Sequence, residues 1–354
     1  MVISNSSGPG QNSTCDPVER TYHPLLILGY SLLLLVGLIL NSFTLCFHCR
    51  GAHGQVSKSW MIYLKHLTAA DFLLCLSLPL RIIHYTSTSL TIHVVYCSLG
   101  APLMFHNMCA SILFMGYIAA NRYMKIFYSS GTHFLMTAKA SHIISVTTWV
   151  VLLTITTSYT ILMLITHKTA LPDHRTCYLL LNDHVQKLYG VMHASAAISF
   201  LLVLCSLVFF YYSTSRRVQQ IQQRRLASSN SKKLLKSRRN MLVLVSVFCF
   251  CFVPYHVIRL PYYLLKGRCS VVWYYVKEVA VFISVFNICL DPLIYVFLCK
   301  DFRAQLNLKQ IFSTKGNRNT STSDARYRRR DQLNSMSSQV LEASTTATGT
   351  IGPV

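Results

Sequence analysis

Charge is what this chain has least of. Of its 354 residues, 12% are Asp, Glu, Lys or Arg, and acidic residues number 11 against 33 Lys and Arg. Soluble domains carry about a quarter charged residues, so a water-exposed globule is excluded. Enzyme groupings are missing too: the sequence has no phosphate-cradling glycine loop, no metal-ligand spacing and no nucleophile paired with a base. No interleaving of aromatic and basic residues supports nucleic-acid binding. No repetition of one half by the other marks a transporter or channel, the competing membrane class that carboxylates inside apolar segments would otherwise favour. The first 24 residues lack an apolar core, so no cleavable signal peptide is expected and the first hydrophobic run must direct insertion.

What the sequence does have is hydrophobic length. Runs cover about Leu25 to Phe47, Met61 to Tyr85, Leu99 to Ile126, Ile143 to Ile165, Tyr189 to Tyr212, Met241 to Tyr263 and Trp273 to Leu298. Each is close to the roughly 20 residues that cross a bilayer core of about 30 Å. They are too long and too weakly alternating for barrel strands, and a lipid-embedded backbone must satisfy its own hydrogen bonds. The expectation is an all-α membrane protein, a seven-transmembrane helix bundle.

Lys and Arg set the orientation, because short basic loops stay in the cytoplasm. Arg216, Arg217, Arg224, Arg225, Lys232, Lys233, Lys236, Arg238 and Arg239 lie between the fifth and sixth runs, and Lys300, Arg303, Lys309, Lys315 and Arg328 to Arg330 follow the seventh. Both segments are therefore expected inside, with residues 1–24 outside, 25–299 forming the membrane domain and 300–354 a cytoplasmic tail. Asn5 and Asn12 open glycosylation sequons on the outer side. The net charge of +22 sits beside membrane ends, which suits anionic inner-leaflet lipid; a cytoplasmic protein partner is the alternative reading.

Topology also sorts the 13 cysteines. Cys15, Cys97, Cys177 and Cys269 fall outside, where disulfides persist, and four cysteines allow three pairings. The other nine lie in spans or at their inner ends and act as small hydrophobes.

Polar residues inside apolar runs carry the remaining signal. Asn287, Asp291 and Pro292 stand in the seventh run and Asp71 in the second. Two neighbouring buried carboxylates cannot both ionise without a cation or a shared proton. Pro254 and Pro292 each remove an intrahelical hydrogen bond and are expected to kink their helices. His256 and Arg259 are three apart and share a helix face near the outer end. Arg259 and Lys277 together would form a cationic mouth suited to phosphate; the alternative is snorkelling to lipid headgroups with a local Lys277–Glu278 pair.

These residues resemble the rhodopsin-like class of G-protein-coupled receptors over roughly Leu25 to Asn307. Asn41, Asp71 after Leu67-Thr68-Ala69-Ala70, Arg122 in Asn121-Arg122-Tyr123, Trp149, the stretch from Phe248 to Pro254, and Asp291-Pro292-Leu293-Ile294-Tyr295 stand in that class's order and spacing. A narrower resemblance, carried by Met61 to Lys65, Cys251 to Tyr262, Tyr275 to Glu278 and Leu290 to Tyr295, is to purinergic nucleotide receptors of the ADP and UDP-glucose branch and its orphan relatives.

The resemblance implies an extracellular anionic ligand, nucleotide or nucleotide-sugar like, held by Arg259, His256, Lys277, Tyr262, Phe105 and Arg81. A lysophospholipid is the alternative, because Phe105 and Cys109 replace a tyrosine pair and Gly190 and Ala194 replace an expected polar pair. It implies Cys97–Cys177 and Cys15–Cys269 disulfides. It places Asp71, Ser111, Asn287 and Asp291 around an allosteric sodium ion; a protonated pair without metal is the other reading, and no further cofactor is implied. It makes Arg122, Tyr123, Tyr295, Phe252, Pro254, Asp291 and Pro292 parts of the switch to a heterotrimeric G protein, expected to be of the inhibitory class. Asn121 stands where an acid usually restrains the arginine, which predicts raised basal signalling unless other contacts compensate. A short amphipathic eighth helix from Lys300 to Asn307 is implied, with no cysteine after Cys299 to carry a palmitoyl anchor. The Ser- and Thr-rich tail, including Ser313, Thr314, Thr320 to Ser323 and Ser335 to Ser338, offers sites to receptor kinases and then arrestin.

Overall fold

The computed structural model describes residues 23–50, 59–87, 89–128, 137–166, 177, 181–223, 229–264, 271–299 and 302. Each of the seven hydrophobic runs is helical and long enough to cross a membrane. The first span is Pro24–Arg50, the second Ser59–Thr86, the fourth Ala138–Thr166, the fifth Asp183–Gln223 and the sixth Ser229–Leu264. The third comprises Leu90–Val95, a π-helical turn Tyr96–Gly100 and Ala101–Phe127, and the seventh comprises Val271–Val285 and Asn287–Leu298. The third and fifth spans outrun their hydrophobic cores. Helices continue into water once they are nucleated in lipid, because each added residue closes another backbone hydrogen bond.

Burial is inverted relative to a soluble bundle. Leu25, Ile39, Ile143, Ile165, Val191 and Leu202 are exposed, whereas Asn41, Asp71, Ser111, Asn287 and Asp291 are at most 1% exposed. Lipid accepts the apolar side chains, and polar groups turn inward to find partners. Many hydroxyls reach back one turn: Thr44 Oγ1 donates to the Leu40 carbonyl at 2.9 Å and Thr148 Oγ1 to that of Ile144 at 2.8 Å.

Two apolar clusters hold the outer half. Tyr30, Leu33, Leu74, Leu78, Met104, Val285 and Ile288 join the first, second, third and seventh spans. Tyr96, Tyr159, Met163, Leu181, Val185 and Met192 join the third, fourth and fifth. Close approach requires glycine at position 37, where a Cβ would stand 2.7 Å from Ile288 Cδ1 and 2.9 Å from Cys75 Sγ.

Helix continues through Pro254 and through Pro292, and the interruption in the seventh span lies at Phe286, where Cys289 N–H donates to the Phe286 carbonyl in a tightened turn of 3.0 Å. At Pro292 the released carbonyl of Ile288 accepts the Asn41 amide at 2.8 Å, so the helix need not open there. Apart from Phe302, which is helical and buried, the proposed eighth helix lies outside the described residues, as do the glycosylation sequons, Cys15, Cys269, the tail and the side chain of Tyr262.

Candidate functional site

At the outer mouth the second, third and seventh spans meet around Arg81. Its guanidinium donates to Glu278 Oε2 at 2.5 Å, to the Tyr96 hydroxyl at 2.6 Å and to the Tyr85 hydroxyl at 2.8 Å. The Tyr85 hydroxyl also donates to Glu278, and the guanidinium carbon stands 4.9 Å from the centre of the Tyr30 ring. Lys277 Nζ pairs with Glu278 Oε1 at 3.1 Å and lies over the Tyr274 ring. The local Lys277–Glu278 pair, which belonged to the alternative to a phosphate-binding mouth, is therefore present, and one carboxylate serves two cations.

The π-helical turn positions the third-span residues of this mouth. It sends Tyr96 to Arg81 and Cys97 to Cys177, with which it forms the expected disulfide across a Cα–Cα distance of 5.3 Å. Gly100 permits the wide turn: a Cβ there would meet the Tyr96 ring at 2.8 Å. His93 lies beside the same two sulfurs, but their covalent bond removes them as metal ligands. Among the described residues nine cysteines are free, in the spans and at their inner ends as expected.

Arg259 faces the fifth span. Its guanidinium donates to the Tyr189 hydroxyl and to His193 Nε2, the latter at 3.1 Å. His193 Nδ1 donates to the Tyr189 carbonyl at 3.0 Å, which leaves Nε2 as the acceptor Arg259 needs. Phe105 stacks on the His193 ring with centroids 4.6 Å apart. Tyr96, which accepts from Arg81, shares an apolar cluster with Tyr189, which accepts from Arg259, so the two guanidinium groups flank one mouth. His256 sits on the same side of the sixth span, donating Nδ1–H to the Phe252 carbonyl at 2.9 Å and stacking on Phe200 at 4.0 Å. Sequence reading missed Tyr189 and His193, each one residue before the positions weighed, Gly190 and Ala194. The available signal was their four-residue spacing, which puts both on one helical face.

Below the mouth, aromatic rings link the fifth and sixth spans. Phe200 stacks on Phe248 at 5.6 Å, and Phe248 meets Phe252 edge-on at 5.4 Å. Phe248 and Phe252 are fully buried. Pro254 stands two residues above Phe252 in this continuous helix.

At mid-membrane the second, third and seventh spans bring Asp71, Ser111, Asn287 and Asp291 together. Ser111 Oγ and Asn287 Nδ2 each stand 3.4 Å from Asp71 Oδ1, and the fully buried Asp291 stands four residues, about one helical turn, beyond Asn287. Asp71 Oδ2, both Asp291 oxygens and Asn287 Oδ1 have no hydrogen-bond donor. Buried acceptor oxygens left without donors are costly, and this all-oxygen set suits a hard cation or a shared proton.

Toward the cytoplasm, Tyr295 is bound to the second span through Thr68 Oγ1 and the Leu64 carbonyl. The Arg122 guanidinium lies 4.9 Å from the Trp60 ring centre. Asn121 is buried with its amide nitrogen unpartnered, and Tyr123 stacks on Phe210 at 4.6 Å. Trp149 donates Nε1–H to His66 Nδ1 at 3.1 Å, tying the fourth span to the second.

The family model described as 7 transmembrane receptor (rhodopsin family) matches residues 24–295. Purinoceptor 14 of Bos taurus is 30% identical over 335 residues, covering 91% of this chain and 96% of its own. G-protein coupled receptor 87 of Mus musculus is 28% identical, with 88% and 87% covered. Purinoceptor 13 of Homo sapiens is 28% identical, with 88% of each covered. The inward polar core, the bridged outer mouth and these likenesses agree: the chain belongs to the rhodopsin family of seven-transmembrane receptors, in its purinoceptor-like group, and is a plasma-membrane receptor for a ligand and a G protein.

Proposed function

We propose that the chain receives an extracellular anionic ligand of nucleotide or nucleotide-sugar type and activates a heterotrimeric G protein of the inhibitory class. The observation that carries this is the charge arrangement of the mouth. Glu278 is shared by Arg81 and Lys277, while Arg259 is set by a phenol and an imidazole nitrogen. Among the described groups the mouth brings three cations together with one carboxylate, and guanidinium and ammonium groups are suited to phosphate. The purinoceptor names of two relatives support the ligand class.

Ligand binding acts on the G-protein side only through its preference for one conformation. Phosphate drawn to Arg259 pulls on the outer end of the sixth span, and the stacked Phe200, Phe248 and Phe252 carry that displacement inward. The mid-membrane oxygens of Asp71, Ser111, Asn287 and Asp291 would hold a sodium ion, whose charge offsets the repulsion between the carboxylates. Asn121 cannot form an ion pair with Arg122, which favours the signalling conformation.

The test is a cell assay of G-protein activation against nucleotides, nucleotide sugars and lysophospholipids, with Arg259→Ala and Lys277→Ala beside the parent. An anionic agonist that weakens in both variants supports the reading. An agonist indifferent to both moves the pocket elsewhere, and a lysophospholipid as the active class replaces the nucleotide assignment.

A further inference from the structure

A cavity of 350 Å³ lies between the third, fourth and fifth spans. Its wall includes Phe105, Cys109, Leu152, Met192 and Ala196, and its polar groups are hydroxyls and one imidazole, that of His106. Among the described residues that line it, none is Asp, Glu, Lys or Arg. Val151, Ile155 and Ser195, which also line it, are exposed on the outer faces of the fourth and fifth spans. Those faces lie in the stretches that cross the membrane, so the cavity opens sideways toward acyl chains.

We propose that this cavity binds a neutral, hydroxyl-bearing amphiphile taken from the bilayer. The absence of charge in the lining argues against an ionised head, because an uncompensated charge in this surrounding is strongly disfavoured. The lining argues equally against a bare hydrocarbon. His106 is 2% exposed, its Nδ1 stands 3.0 Å from Thr156 Oγ1, and its Nε2 has no hydrogen-bond partner. A ligand hydroxyl satisfies Nε2 in either tautomer: it donates if Thr156 accepts from Nδ1, leaving Nε2 bare when Nδ1 holds the proton, and accepts if Thr156 donates.

Size agrees with this class. Small-molecule sites run from about 300 to 1,000 Å³, so the cavity takes a head and the start of a chain, with the remainder leaving through the side opening. Phe105 is shared, with one ring forming cavity wall and stacking on His193 beside Arg259. An occupant therefore has a direct route to the anion site, and any effect on affinity must be reciprocal.

The experiment uses the full chain in lipid nanodiscs with a monoacylglycerol whose chain carries a diazirine, compared with the matching diazirine fatty acid at neutral pH. The expected result is saturable labelling confined to peptides spanning 147–156 and 192–199, displaced by unlabelled monoacylglycerol and weaker for the fatty acid. Ala196→Trp, which fills the cavity, should abolish it, and His106→Phe should lower apparent affinity about fivefold, the worth of one net hydrogen bond. Labelling that does not saturate, that spreads over all lipid-facing helices, or that is as strong with the fatty acid overturns the proposal. The displacement curve on the parent protein decides the matter even where a variant fails to fold.

Discussion

The Asn41 amide donates at 2.8 Å to the carbonyl of Ile288, the acceptor that Pro292, four residues on, leaves without a helical N–H. A second bond from the same nitrogen reaches the Gly37 carbonyl at 2.9 Å. One side chain thus repairs the seventh span and fastens the first to it. Asn41→Ala should lower the thermal midpoint of the purified receptor by a few degrees, as expected from losing about 1–3 kcal/mol when a buried acceptor is orphaned. Pro292→Ala restores an N–H, so the double variant should lose less than the sum of the two. Simple additivity in the thermal data would refute the coupling.

Glu278 joins Arg81 and Lys277 in a buried set. Glu278→Gln should destabilise strongly, by about 3–5 kcal/mol, because it leaves buried charge uncompensated. Replacing both members, Arg81→Met with Glu278→Leu, should recover much of that loss. Surface expression and thermal unfolding measure both; a double variant no better than Glu278→Gln contradicts the pairing.

Sodium should raise the thermal midpoint relative to an equal concentration of choline, and should weaken agonist binding. Asp71→Asn should remove both responses, since it takes away a carboxylate oxygen from the site. Sodium sensitivity that persists in this variant eliminates Asp71 as a ligand.

Asn121→Asp places a carboxylate at the position directly before Arg122. Basal G-protein activation without ligand should fall, at unchanged surface expression. If it holds steady, other contacts already restrain Arg122 and the loosened-lock idea is wrong.

His193→Ala removes the nitrogen that aims Arg259 and the ring on which Phe105 stacks. Agonist potency should drop about tenfold to a hundredfold, in keeping with a lost hydrogen bond to a charged group, whereas Ala194→Ser, one position on, should change little. Concentration–response curves for both variants check this. Equal effects at the two positions would argue that His193 has no special part.

Much of this was legible in the residue order. Seven apolar runs required seven helices, because lipid offers no partner for an unpaired backbone group. Asp71, Asn287 and Asp291 announced an inward site because carboxylate and amide groups are too costly against lipid. The local pair of Lys277 with Glu278 entered only as part of the alternative reading, and the Arg81 partner of Glu278 did not enter at all, since it lies 197 positions away and only the bundle brings them together. Tyr189 and His193 were missed for a related reason: helix phase near a span end is ambiguous by a residue until the packing of its neighbours is known.

The hydrophobic pattern and charge asymmetry by themselves determined the helical class, the number of spans and the side facing the cytoplasm, because these follow from transfer of each segment between water and lipid. Tertiary structure alone decided which polar groups meet. It turned Arg259 to the fifth span, gave Glu278 two cations, and placed the seventh-span break at Phe286 while Asn41 supported the helix at Pro292. Those outcomes depend on side-chain reach across helix interfaces, which no local spacing encodes.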